Sequence, residues 1–218
     1  MATVNKLLLV PNLVCYARLS LVLLGMAYIE KSPVLFLALT GAAWLLDAVD
    51  GLLARWLNQC TRFGAFLDIL VDNVLRATLW FGSVHLQAES SRFLIQAALI
   101  FPAVEWTCML ATQESVSGGN RTHWKNRTQD APPLVRRIMA DGFHSTFGVA
   151  VVLGLFGLPY MLCVSATIVA AGGDWAQLSL PFLRILTALL LGCRILGLRA
   201  EVWFIGLHLD RLLRVDDT

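Results

Sequence analysis

Apolar residues run along this 218-residue chain in long blocks separated by short polar breaks. A helix rises ~1.5 Å per residue and the hydrocarbon core of a bilayer is ~30 Å thick, so a block of roughly 20 residues suffices to cross it. Six such blocks predict six spans, at approximately 9–29, 33–57, 63–86, 92–112, 142–171 and 178–208. Pro11 suits the first turn of the first helix, where its missing N–H forfeits no hydrogen bond. The breaks Glu30-Lys31-Ser32 and Gln87–Ser91 are short enough to join antiparallel neighbours, and Gly172-Gly173-Asp174 divides the last two spans. Segment 113–135 departs from the pattern. It is polar, basic and rich in turn formers, which predicts a surface loop, and Arg136 and Arg137 carry its positive charge to the next helix.

Composition turns this pattern into a class. Hydrophobic residues make up 57% of the chain and charged residues 15%, more apolar surface than a soluble domain of this length can hide. The expectation is an all-α, polytopic membrane protein of six transmembrane helices, forming one domain over 1–218. A net charge of +2 gives no reason to expect a nucleic-acid partner. The five cysteines form no paired or Cys/His spacing, so they read as small packing residues. The first apolar run follows a single lysine and reads as a first span, not as a cleavable leader.

The placement of charge matters more than its sum. With six spans, Lys6, Arg55, Arg62, Arg121, Lys125, Arg127, Arg136, Arg137, Arg211 and Arg214 fall on one side, and Lys31 and Arg92 on the other. The positive-inside rule then puts both termini on the cytosolic side. The sequons at Asn120 and Asn126 lie in the basic loop on that side and are expected to stay unmodified.

Against this apolar background stand four aspartates, Asp47, Asp50, Asp68 and Asp72. Ionised carboxylates are costly in hydrocarbon and repel one another when clustered, so they persist only around positive charge or in a wet pocket. Residues three or four apart share a helix face. Asp47, Asp50 and Ala54 therefore line one face of the second span, and Gly64, Asp68 and Asp72 one face of the third. A connection of only about residues 57–62 makes these helices antiparallel neighbours, so both carboxylate pairs converge. Hard oxygen donors in that arrangement suit Mg2+ or Mn2+, singly or as a pair. Gly51 and Gly64 allow close approach of a helix or substrate, and Arg55 offers a fork for phosphate oxygens. Arg55, Arg62 and Arg76 are the only basic residues within the two spans, too few to neutralise four carboxylates. Arg76, Arg194 and Glu105, also in apolar runs, are equally compatible with polar contacts and with helix packing.

The full spacing, D-x2-D-G-x2-A-R-x8-G-x3-D-x3-D over residues 47–72, resembles the motif of the CDP-alcohol phosphotransferases at every fixed position. Within that family the stretches VPNLVCYARL (10–19), LLDAVDGLLAR (45–55) and LNQCTRFGAFLDILVD (57–72) are most similar to the eukaryotic phosphatidylinositol synthases. The resemblance is strong over roughly residues 8–76. It implies a six-helix fold, often homodimeric, in the endoplasmic reticulum, with an active site opening to the cytosolic leaflet. It further implies transfer of a phosphatidyl group from CDP-diacylglycerol to a small polyol, inositol in those members, with release of CMP. By resemblance Asp47, Asp50, Asp68 and Asp72 hold the metal, and Asp72 is also the general base for the acceptor hydroxyl. Gly51, Ala54, Arg55 and Gly64 contribute to the nucleotide and pyrophosphate site, and Asn12 and Arg18 line the same cavity through a P-N-x5-R stretch. The second half departs from the animal synthases: Glu105 stands where they carry a histidine before Trp106, and Asn73 where they usually carry arginine. Inositol, another acceptor alcohol with the same donor, and a non-catalytic binding role all remain open on the sequence.

Overall fold

A computed structural model describes residues 7–117 and 131–215, except for the side chains at 48, 50, 113–117, 141, 175 and 215. Its α-helices are α1 (Val10–Tyr28), α2 (Pro33–Trp56), α3 (Arg62–His85), α4 (Arg92–Ser117), α5 (Pro133–Met139), α6 (Thr146–Ala171) and α7 (Asp174–Val215). A 3-10 turn, Ala140–Phe143, follows α5. There is no strand among the described residues. The all-helical class is as the hydropathy predicts.

The six expected spans are matched closely but not one for one. Among the described residues, five helices are long and apolar enough to cross a membrane: α1, α2, α4, α6 and α7. The remaining expected span, 63–86, is α3, which at 24 residues has the length. It carries Asp68, Asp72, Asn73 and Arg76 through its middle, and they lower its hydropathy below that of the others. Two boundaries also shift. The expected fifth span, 142–171, starts at Thr146, because Gly142 and Phe143 take φ of 66° and 73° and break the chain. The expected sixth, 178–208, is part of one 42-residue helix. The expected loop 113–135 begins as the last turn of α4 and ends in α5; residues 118–130 lie outside the described residues.

Local chemistry accounts for the turns that matter here. Helix α2 ends in paired backbone bonds, Gln59 N to Ala54 O at 2.9 Å and Asn58 N to Arg55 O at 3.3 Å. This is the Schellman closure, and its left-handed position is filled by Asn58 at φ 53°, one of the few residue types that tolerates it. Thr61 then caps α3, its Oγ1 accepting from Gly64 N at 3.0 Å. The connection 57–61 is therefore fixed at both ends, which makes α2 and α3 antiparallel. Gln59 reaches back to α1, where its Oε1 accepts from Val10 N at 3.2 Å. After α6, Gly172 and Gly173 at φ 66° and 85° make the break expected from sequence.

The chain divides into two compact units. The first comprises Met1–Ala98 and Leu162–Ala176, the second Leu99–Met161 and Gln177–Thr218. In the first, α1 packs along α3 through Cys15, Leu67 and Val71. Phe36, fully buried, lies against Gly82, where an added Cβ would stand 2.8 Å from its ring. Cys163 closes over the same glycine, donating to Leu79 O at 3.2 Å. In the second unit Val135, Ile138, Met139, Val151, Ala200 and Phe204 form the apolar core. Large apolar side chains such as Leu45, Trp56, Phe93 and Leu178 are exposed, as suits helices solvated by lipid tails.

Candidate metal centre

The caps on either side of residues 57–61 set α2 and α3 side by side, and helical spacing then does the rest. Asp68 and Asp72 are one turn apart on α3, facing Asp47 on α2. One carboxylate oxygen from each of the three lies within 4.8 Å of the others. Asp72 is the most enclosed, its side chain 19% exposed against 35% for Asp47 and 41% for Asp68. The site is thus closed on one side and open on the other. Asp50 lies on α2 one turn after Asp47, but its side chain is outside the described residues.

A guanidinium from α1 occupies the closed side. Arg18 is fully buried. Its Nη2 bonds Asp47 Oδ1 at 2.9 Å and Asp72 Oδ1 at 2.5 Å, and its Nη1 donates to Asp68 Oδ1 at 2.9 Å. Its Nε donates to Ala43 O at 3.2 Å, which anchors the side chain from behind. A second cation stands further off: Arg76 Nη1 is 3.9 Å from Asp72 Oδ2, and its Nη2 donates to Asn73 Oδ1. The main basic partner comes from the first span, where the family resemblance puts Arg18 in the same cavity, and not from the second or third. Arg76 was legible as the i,i+4 partner of Asp72, whereas no spacing rule links Arg18 to residues 29 to 54 positions away. Among the described side chains, two guanidinium groups face three carboxylates, so the acidic groups outnumber the basic ones.

The remaining candidates fall into two groups. Asn12 is buried on α1, and its Oδ1 would be 2.9 Å from a Cβ at Gly64. Gly64 is therefore a contact point between α1 and the start of α3, with Thr61 Oγ1 also close at 3.1 Å. Gly51 is different: a Cβ there meets nothing within 4 Å. It is exposed on α2, as is Arg55 one turn on, while Ala54 is half-buried. The structure thus gathers Asn12, Arg18, Gly64 and three aspartates into one packed group, and leaves Gly51 and Arg55 on an open face of the same helix.

The second unit holds its own ionic cluster. Arg194 on α7 is fully buried, with Nη2 3.1 Å from Glu105 Oε1 on α4 and Nη1 2.9 Å from Glu201 Oε2. Its guanidinium carbon stands 4.5 Å from the centre of the Phe101 ring. Gly154 on α6 lets the α7 backbone approach, since a Cβ there would be 2.4 Å from Arg194 N. Glu105 therefore meets a helix neighbour. Glu201, seven residues after Arg194 on one helix face, carried a sequence signal that was missed.

Three convergent carboxylates from two rigid helices, each offering a hard oxygen, fit a Mg2+ or Mn2+ ion in kind and number. The three aspartates lie within the stretch that a known protein family matches. A profile of the CDP-alcohol phosphatidyltransferase family matches residues 8–127, and the chain belongs to that family. The chain is similar to human CDP-diacylglycerol–inositol 3-phosphatidyltransferase, 34% identical over 120 residues, which cover 55% of this chain and 48% of the human protein. The Drosophila melanogaster enzyme of the same name is 34% identical over 122 residues, 56% of this chain and 53% of that one. A probable inositol 3-phosphatidyltransferase of Arabidopsis thaliana is 35% identical over 111 residues, 51% and 49% of the two chains. The match therefore spans about half the length of these relatives. No solved structure matches the chain.

Proposed function

We propose that this protein is an integral-membrane phosphatidyltransferase, a single domain over 1–218, that moves a phosphatidyl group from CDP-diacylglycerol to myo-inositol and releases CMP. The observation that carries the reading is the convergence of Asp47, Asp68 and Asp72, from two helices locked by the 57–61 turn, within a matched family motif. Inositol as acceptor rests on the names of the relatives.

In this reading Asp47, Asp50, Asp68 and Asp72 hold Mg2+ or Mn2+, which when bound neutralises pyrophosphate charge and improves CMP as a leaving group. The open face at Gly51 admits the nucleotide, Ala54 flanks it, and Arg55 offers its guanidinium to phosphate oxygens. The acceptor oxygen bonds to the phosphatidyl phosphorus as the bond from that phosphorus to the bridging oxygen breaks. Asp72 takes the hydroxyl proton. The diacylglycerol tails stay in lipid throughout. The one-sided distribution of Lys and Arg supports a site and both termini at the cytosolic face, and the family resemblance supports residence in the endoplasmic reticulum and a homodimer.

The test is radiolabel transfer from CDP-diacylglycerol by purified protein in lipid nanodiscs, across a panel of alcohols with Mg2+ or Mn2+. Inositol-dependent release of CMP, lost in Asp72→Asn, is the expected result. Transfer to a different alcohol would remove inositol and keep the donor chemistry. A specific observation motivates that arm: Glu105, where animal synthases carry histidine, is tied up by Arg194. No transfer to any acceptor would leave only a binding role.

A further inference from the structure

We propose that Arg18 is a built-in competitor for the divalent cation, so that loading the metal centre requires its guanidinium to withdraw from the three carboxylates. The inference rests on the metal-binding part of the function proposed above. Its basis is occupancy of the same atoms. Arg18 bonds one oxygen of each of Asp47, Asp68 and Asp72 at 2.5 to 2.9 Å. A Mg2+ or Mn2+ ion would need oxygens of these same side chains at ~2.1 Å. The guanidinium and the ion would then lie within a few ångströms of each other, where like charges in a partly buried site repel strongly.

Burial makes the competition consequential. Arg18 is fully buried and bonded to Ala43 O, so drawing it away from the carboxylates carries a cost that a surface arm would not impose. Its guanidinium offsets the mutual repulsion of three carboxylates this close, a repulsion that would otherwise push α2 and α3 apart. One guanidinium serves three carboxylates, and even with Arg76 alongside at 3.9 Å from Asp72 the described acidic groups outnumber the basic ones. A dication therefore has a driving force to enter, reduced by the work of displacing Arg18. Arg18 is a positioning residue here, acting on the ligands and not on substrate.

The competitor role differs in sign from a plain structural one. If Arg18 only holds the carboxylates in place and stays put as metal binds, removing it loosens the ligands and weakens binding. If it competes, removing it tightens binding while destabilising the metal-free protein. Mn2+ affinity is measured on purified protein by the paramagnetic resonance signal of free Mn2+, for the wild type, Arg18→Gln and Arg18→Lys, alongside melting in chelator. Arg18→Gln is expected to bind Mn2+ ~10-fold more tightly or better and to melt lower in chelator. Arg18→Lys keeps the charge, so it folds where the glutamine variant fails. One ammonium cannot span three carboxylates, and a gain of a few-fold is expected of it. A folded variant of either kind that binds Mn2+ no more tightly than wild type overturns the competitor role alone. Wild type that binds no Mn2+ overturns the metal reading and this inference together.

Discussion

Gly51 and Gly64 look equivalent in the motif, yet the structure separates them. Gly64 has Asn12 and Thr61 pressed against it, so Gly64→Ala must move a buried amide, and a loss of ~1–3 kcal/mol in stability is expected. Gly51 has open space, and Gly51→Ala should fold as well as the parent or gain ~0.5–1 kcal/mol from helix propensity. Chemical denaturation of the two variants in detergent checks this. Only Gly51→Ala is expected to fold normally and still lose affinity for CDP-diacylglycerol. The aspartates give a different signature. Asp68→Asn removes one of the three carboxylates seen to converge and should reduce Mn2+ affinity and CMP release at least ~100-fold. Unchanged Mn2+ binding in that variant would remove Asp68 from the centre. These distinctions were half legible. Spacing pointed to both glycines, but only packing tells which one touches protein and which is left for a ligand.

At the scale of elements, the turn between α2 and α3 governs whether the carboxylates meet. Asn58 sits at φ 53°, so Asn58→Val forces a β-branched residue into the left-handed region at a cost of ~1–2 kcal/mol or more, and Asn58→Gly should be tolerated. Thermal melts of the pair test it; equal stability would mean the turn tolerates another conformation. In the second unit, Arg194→Met strands Glu105 and Glu201 in a buried site and should cost ~3–5 kcal/mol. Glu105→Gln leaves Arg194 its bond to Glu201 and should cost visibly less. The helices themselves were plain from hydropathy, and the turn's brevity predicted antiparallel neighbours. What a count of apolar blocks passes over is the polar content of α3. Its Asp68, Asp72, Asn73 and Arg76 make a span that is long enough but not apolar enough to stand with the other five.

For the whole molecule, the decisive question is which side of the membrane holds the metal centre. Cys60 is exposed in the turn beside it, which gives a direct probe. In sealed microsomes, an impermeant maleimide added outside should label Cys60, and Asn120 and Asn126 should show no glycan by glycosidase shift. Labelling only after the membrane is opened, or a glycan at either sequon, would reverse the topology.

The chain by itself determined a great deal, because two periodicities are local. Twenty-residue apolar runs require helices in lipid, and carboxylates three and four apart on helices joined by a short turn must face each other. Those rules act within one helix or one hairpin, where backbone geometry leaves few choices. The partner of the carboxylates was another matter. Arg18 reaches them only because α1 packs along α3 through Cys15, Leu67 and Val71 and its guanidinium is braced by Ala43 O. Arg194 likewise meets Glu105 only where α4 and α7 come together, 89 residues apart in the chain. Contacts between distant helices depend on how side chains interlock across them, and that is decided by tertiary packing, not by any period in the sequence.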